Sequence, residues 1–358
     1  MSGGVDSSVA AALLKKQGFS CIGVFMHFWS EHPEKGPENK CCSIEAQEQA
    51  RKVAQKIGIP LYTINYKRQF KDIIIDSYIA EYQSGRTPNP CVLCNQFIKF
   101  DLLLKEAEKQ GCDYLATGHY TQIKKLKNGE LGLFASPDKN KDQSYFLYRL
   151  SQDKLKKILF PVGKYQKSEV RKLARRFDLP TASRKDSRGI CFIATTNEKF
   201  LKKYLKVKPG PIVDIDGVEI GEHRGLLYYT VGQRHGYGSI KLNRNSKLKI
   251  KNKDIPPLYV VSVDVKNNLL VVGREEDLYQ KELVAEDVSW ISGKEPAEKK
   301  IGARIRYRHP INDCIIKKIS KNRWQVKFEK PQRAITPGQS VVFYHGEEVL
   351  GGGIINLC

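Results

Sequence analysis

Three short stretches hold residue types able to do covalent chemistry. Ser2-Gly3-Gly4-Val5-Asp6-Ser7-Ser8 combines glycines, hydroxyls and one carboxylate directly ahead of an apolar helical pattern. Glycine lets backbone amides approach an anion, hydroxyls add donors, and a helix N-terminus supplies partial positive charge, so the stretch reads as a pyrophosphate cradle. It has no lysine of the G-x-x-x-x-G-K-[ST] kind and is therefore not the usual triphosphatase loop. Gly85-Arg86-Thr87-Pro88-Asn89-Pro90-Cys91-Val92-Leu93-Cys94-Asn95 is a proline-stiffened loop presenting two thiols ahead of a helix, whose dipole favours thiolate. Asp186-Ser187-Arg188-Gly189-Ile190-Cys191-Phe192-Ile193 sets a further thiol beside a glycine turn and an arginine. Two activated thiols can carry and resolve a sulfur atom.

The elements that must position these residues follow from periodicity. From residue 9 to about 205, helical and strand patterns alternate: VAAALLKKQG, the apolar run CIGVFMHFW, a helix near 44–57, strand-like IPLYTIN, a helix near 68–82, a helix over 95–110 and a buried strand ending at Thr117. This alternation predicts an α/β fold with a parallel sheet covered by helices, in which ligands bind beyond the carboxyl ends of the strands. The phosphate loop follows Met1 with no strand before it, so a first strand encoded upstream of Met1 is expected. After Lys208-Pro209-Gly210-Pro211 the runs PIVDI, GLLYYTV, PLYVVSVDV and NLLVVG read as a small antiparallel β-rich domain. From about Glu282, KIGARIRY, DCIIKKI, RWQVKFE and QSVVFYHGEEVLGGGII suit a C-terminal β-barrel. The expected domains are 1–207, 208–280 and 281–358.

A net charge of +22 attracts polyanions. No stretch approaches the apolar length of a membrane span and no signal-peptide pattern opens the chain, so a cytoplasmic protein with no membrane partner is expected. Nine cysteines in a long chain of that kind favour reactive or metal-binding thiols over structural disulfides. Cys21, Cys112 and Cys314 lie in apolar or strand-like runs and read as buried packing residues. Cys41 and Cys42 lack a matching ligand pair for zinc and read as exposed thiols at a helix start. Gly351-Gly352-Gly353 precedes no helix and serves a close backbone approach or a bulge.

In this order the three stretches closely resemble the tRNA-specific 2-thiouridylase family of PP-loop (adenine nucleotide alpha hydrolase-like) ATP pyrophosphatases. The likeness extends through Ala116-Thr117-Gly118-His119-Tyr120, Lys141-Asp142-Gln143-Ser144-Tyr145-Phe146-Leu147, Phe160-Pro161-Val162-Gly163, Thr230-Val231-Gly232-Gln233-Arg234, Arg306-Tyr307-Arg308, Thr336-Pro337-Gly338-Gln339 and Leu350-Gly351-Gly352-Gly353. It implies ATP-dependent adenylation of the 2-carbonyl oxygen of the wobble uridine, followed by sulfur transfer. Carried over by position, Cys94 is the nucleophile and Cys191 the thiol that receives a persulfide, with a transient disulfide between them. The partners implied are tRNA and, as sulfur donor, a sulfur-relay protein or cysteine desulfurase. Ser2, Gly3, Gly4, Val5, Asp6, Ser7, Ser8, Met26 and Gly118 fall at the adenine nucleotide, with Asp6 a magnesium (Mg2+) ligand. Asn89, Pro90 and Cys91 fall at the target base. His119, Lys141, Asp142, Gln143, Arg306, Tyr307 and Gln339 fall at tRNA. Where one branch of the family has aspartate this chain has Cys91, so an alternative is an iron-sulfur cluster held by Cys91, Cys94 and Cys191. Two other readings stand beside these: a PP-loop adenylating enzyme that delivers nitrogen, and a non-catalytic RNA-binding protein.

Overall fold

The computed structural model describes residues 1–30, 43–186, 189–193, 195–236, 240 and 257–357. Helix α1 (Val5–Lys16) leads into strand β1 (Gly23–His27). Helix α2 (Ile44–Ile57), whose first turn is capped by the Ser43 hydroxyl, brings the chain back to β2 (Leu61–Asn65), parallel to β1. Helices α3 (Lys67–Phe70) and α4 (Asp76–Gln83) flank a π-helical segment, Lys71–Ile75. Helices α5 (Pro90–Leu93) and α6 (Leu103–Lys109) flank a longer one, Cys94–Leu102. Then come β3 (Leu115–Ala116), the hairpin β4 (Thr121–Lys125) and β5 (Leu131–Ala135), α7 (Gln152–Leu155), β6 (Ile158–Leu159), α8 (Lys167–Arg176) and α9 (Asn197–Leu201).

The parallel α/β layer expected from the alternation is present, as two parallel pairs: among the described strands β1–β2 and β3–β6 are not hydrogen-bonded to each other. Its core joins Phe70, Ile74 and Tyr78 of the first helical run to Ile98, Phe100 and Leu103 of the second. The same cluster continues into Val342 and Tyr344 far along the chain.

The middle segment forms β7 (Gly210–Val213), β8 (Glu219–His223), β9 (Tyr259–Asp264) and β10 (Leu269–Gly273), in the order β8-β7-β10-β9. It departs from the antiparallel expectation, because β7 and β10 run parallel. The GLLYYTV run is not a strand. Gly225, at φ 136°, turns the chain into a 3₁₀ turn over Leu226–Tyr228, and the apolar side chains Leu227 and Tyr229 are buried from that turn.

The last segment comprises β11 (Tyr279–Trp290), β12 (Lys300–Arg304), β13 (Asn312–Ser320), β14 (Arg323–Arg333), β15 (Ser340–His345) and β16 (Glu348–Asn356). Pairing of β11 with both β14 and β16 closes a six-stranded barrel around Leu283, Trp324, Phe328 and Phe343. The triple glycine lies where β16 is squeezed between β11 and β15. A Cβ at Gly351 would sit 2.2 Å from the Ser289 carbonyl oxygen, and one at Gly352 2.6 Å from that of Val341, so the close backbone approach is borne out. The β4–β5 hairpin, which the sequence reading passed over, pairs through β5 with β16 and so joins the first domain to the barrel. Among the described residues no helix is long and apolar enough to cross a membrane.

Candidate active site

Ser2–Ser8 folds as a turn into α1, with Gly4 as N-cap. The Ser8 and Ser7 hydroxyls both donate to the Gly4 carbonyl, at 2.8 and 3.1 Å, and the Ser2 amide donates to the Ser7 hydroxyl. The first-turn amides of α1 have no acceptor within the helix and face outward with its positive pole. Two glycines fix the loop from outside. Gly3 has φ 67° and lies against the Ala46 carbonyl of α2, and a Cβ at Gly118 would come within 2.7 Å of the Asp6 and Ser7 backbone. Gly118 thus packs directly on the backbone of the loop. Met26, on β1, packs against the same core as the cysteine-bearing segments.

An ion-pair network ties this loop to the stretch that carries Cys191. Lys167 donates to both oxygens of Asp6, at 2.7 and 2.8 Å, and lies 3.0 Å from Asp186. The Tyr120 hydroxyl donates to Asp6 at 2.6 Å. Burial, with Asp6 adjacent, keeps that phenol protonated. Asp186, which opens the Cys191 stretch, also takes Lys141 at 2.7 Å and Arg171 at 2.6 Å. Burial alone would raise the Asp186 carboxyl, but hydrogen bonds from Lys141 and Lys167 hold it well below the usual carboxylate range. Arg184 donates to the Gly3 carbonyl at 2.9 Å.

The thiols are placed by the helical runs. Pro90 occupies the first position of α5, where its missing N–H costs nothing, so Cys91 stands in the first turn and is exposed. Cys94 lies one turn further on, half-buried, at the start of the π-helical segment. The first-turn dipole therefore acts on Cys91 more than on Cys94, a refinement of the expectation that both thiols precede the helix. Cys94 and Cys191 both pack against the large first-domain core. Phe192, beside Cys191, is stacked edge-on against Tyr78 at 5.2 Å, and Cys91 contributes to the upward shift of the Tyr78 phenol that burial dominates. Tyr78 thus bridges the two cysteine-bearing stretches. Ser187 and Arg188 lie outside the described residues, as do Cys41 and Cys42.

The remaining assigned residues line the seam between loop, helix and barrel. Gln143 accepts from the Tyr120 amide through Oε1 and donates its own amide to the Tyr120 carbonyl. Asn95 donates to the Phe146 carbonyl, which ties the Cys94 helix to the same segment. Asp142 is buried, accepts from the Ser136 and Ser144 amides, and pairs with Arg304 of the barrel at 3.1 Å. Asn89 neighbours Tyr145, whose hydroxyl donates to the Ser340 carbonyl. Tyr307 packs on Phe146 with ring centroids 4.6 Å apart and planes tilted by 42°, and Arg306 donates to the Arg333 carbonyl. Gln339 donates to the Thr87 and Pro88 carbonyls, at 2.9 and 3.2 Å. His119 is buried, bonded through Nδ1 to the Thr117 hydroxyl, and burial with Lys99 nearby pushes its pKa well down, so the ring is neutral.

Asp6 can offer a carboxylate to magnesium, which binds through one or two protein carboxylates and substrate phosphates. Among the described residues no three His, Cys, Asp or Glu side chains are arranged to hold a metal ion, so Cys91, Cys94 and Cys191 are not gathered as cluster ligands. Of the three cysteines expected to be buried, only Cys314 is. Its thiol is pushed up to about 12 by burial, with Asp313 adding, whereas Cys21 and Cys112 are half-buried near element ends. Sequence reasoning missed Lys167, Tyr120, Arg184 and Arg304. One signal was available for Lys167, since a cation at the first position of a helix opposes the dipole and calls for an anionic partner.

Family models match along the chain: a tRNA methyl transferase HUP domain over residues 1–195, a tRNA methyl transferase PRC-barrel domain over 198–274 and an aminomethyltransferase beta-barrel domain over 280–355. The chain is 47% identical to tRNA-specific 2-thiouridylase MnmA 2 of Thermoanaerobacter sp. (strain X514), over 99% of this chain and 96% of that protein. It is 44% identical to tRNA-specific 2-thiouridylase MnmA of Carboxydothermus hydrogenoformans, with 99% and 96% covered. It is 46% identical to that of Lacticaseibacillus paracasei, with 99% and 93% covered. With its loop, paired cysteine stretches and terminal barrel matched from end to end, the chain belongs to the tRNA-specific 2-thiouridylase family.

Proposed function

We propose that the protein is a sulfurtransferase that thiolates the wobble uridine of tRNA at C2, using ATP. The observation that carries this reading is the Lys167 bridge: one ammonium joins Asp6 of the phosphate loop to Asp186 at the head of the Cys191 stretch. Nucleotide activation and sulfur delivery therefore share one supporting network.

In the first step the 2-carbonyl oxygen of the uridine attacks the α-phosphorus of ATP and pyrophosphate leaves, held by the loop amides and the helix pole. The oxygen becomes part of an AMP leaving group. Asp6 would hold magnesium, which when bound offsets charge on the phosphates. Lys167 and Tyr120 orient the Asp6 carboxylate.

In the second step Cys191 carries a persulfide received from a sulfur-relay protein or cysteine desulfurase. The Cys94 thiolate attacks the inner sulfur, the S–S bond of the persulfide breaks, and hydrosulfide is released as a Cys94–Cys191 disulfide forms. Hydrosulfide adds to C2 and AMP departs with the C–O bond. A dithiol reductant then restores both thiols. In this reading Asn89, Pro90 and Cys91 border the base, and Lys141 and Arg306 meet tRNA.

The test is mass analysis of nucleosides from tRNA incubated with enzyme, ATP, magnesium and a persulfide donor. Wild type yields 2-thiouridine, and Cys94→Ser and Cys191→Ser yield none. Thiolation that persists in both variants would overturn the persulfide route.

A further inference from the structure

The barrel does more at this site than offer a surface. Its Thr336–Gln339 turn grips the backbone of the loop that leads to Cys91 and Cys94. The Thr87 amide donates to the Pro337 carbonyl at 2.9 Å, while both donors on Gln339 Nε2 are directed at the Thr87 and Pro88 carbonyls. Between these bonds Gly338, buried and at φ 88°, lies flat on Thr87, and a Cβ there would stand 2.9 Å from the Thr87 oxygen. The next residue continues the grip, because the Ser340 carbonyl accepts from Tyr145, which neighbours Asn89. Thr87 is three residues ahead of Pro90, and from Pro90 an unbroken helical run carries Cys94. Displacement at Thr87 and Pro88 is therefore passed along rigid backbone to the thiols.

We infer that Gln339 and Gly338 are positioning residues for the thiol-bearing helix, acting through the Thr87–Pro88 backbone, and that tRNA engagement of the barrel is thereby coupled to the geometry at Cys94. The inference deepens the thiolation reading and rests on it for the role of Cys94. A Gln339 used only to bind tRNA would be aimed at solvent, whereas this one spends its amide donors inside the protein. Misplacing a reacting group by about 1 Å costs on the order of a hundredfold in rate, so the expected effect lies in turnover.

The experiment uses the full chain carrying Gln339→Leu, which removes both donors, and separately Gly338→Ala. Two quantities are measured: kcat and KM for tRNA in AMP release, and the pH profile of Cys94 alkylation by iodoacetamide, read at the Cys94 peptide without tRNA or ATP. The expected result for Gln339→Leu is a kcat lowered by roughly tenfold to a hundredfold, KM for tRNA within about twofold, and an altered Cys94 alkylation profile, with the thermal midpoint close to wild type. A raised KM with kcat and the alkylation profile unchanged would make Gln339 a tRNA contact only and overturn the proposal. If Gly338→Ala fails to fold, Gln339→Leu decides alone. The alkylation arm judges the clamp even if wild type made no 2-thiouridine, so failure of the clamp and failure of the thiolation reading remain distinct.

Discussion

At the scale of single residues, the proposed chemistry calls on charges that lie outside the motifs, Lys167 first among them. Lys167 is nine-tenths buried and holds the only carboxylate of the phosphate loop. Lys167→Met is expected to lower tRNA-dependent AMP release by on the order of a hundredfold, as loss of one charge-stabilising group does, and release at the wild-type rate would show that Asp6 needs no such support. Asp186 has its folded pKa depressed by Lys141 and Lys167 against the opposing effect of burial. Its contribution to stability is therefore full above the unfolded value of about 3.9 and is lost as pH falls through the folded value. The unfolding midpoint of wild type should drop below about pH 4 more steeply than that of Asp186→Asn, and parallel curves would contradict the assignment. Among the thiols, exposed Cys91 should alkylate readily at neutral pH and Cys314, pushed up to about 12, should resist until the protein unfolds. The motifs made the loop and cysteines legible in the sequence. Their ionic partners were not, because Asp6 and Lys167 lie 161 residues apart, and the unfavourable helix-start position of Lys167 calls for an anion without saying which.

At the scale of elements, the local patterns gave α2, β1, β2 and the strands β12 to β16 with little error, and α2 and those barrel strands bury a face of regular period. The strand that closes the barrel, β11, was not named, and three further features escaped for physical reasons. The π-helical segments keep helical periodicity over a short window, and the residue that breaks it, here at Cys94, shows only in the bonding pattern. The β4–β5 hairpin is stabilised by a distant edge, β16, so its short strands carry weak local signals. The 3₁₀ turn at Leu226 is apolar because its side chains fill the middle-domain core, and composition alone made it look extended. The contact of Gly118 with the loop belongs to this scale as well. Gly118→Ala would push a Cβ onto the Asp6 and Ser7 backbone, so the KM for ATP should rise severalfold with the barrel left folded. An unchanged KM for ATP would remove Gly118 from the nucleotide site.

At the scale of the whole molecule, three domains and one net charge of +22 converge on a polyanionic substrate. Affinity for tRNA should fall linearly on a log–log plot against salt, with a slope of roughly 0.7–0.9 per neutralised phosphate, and salt-independent binding would contradict an electrostatic grip. The barrel reaches the first domain through the β5–β16 pairing, the Arg304–Asp142 pair, the Tyr145–Ser340 bond and the clamp on Thr87, so in the proposed function tRNA bound to the barrel would be presented to chemistry in the first domain. The central claim is that the phosphate loop and the cysteines act in sequence on one base. It is tested most directly by mixing tRNA with ATP labelled at the α-phosphate and the Cys94→Ser variant in a single turnover. The account predicts label attached to tRNA as an adenylate, which is released as AMP with 2-thiouridine when wild-type enzyme and a persulfide donor are added. Label that never joins tRNA, while wild type still thiolates under the same conditions, would contradict it.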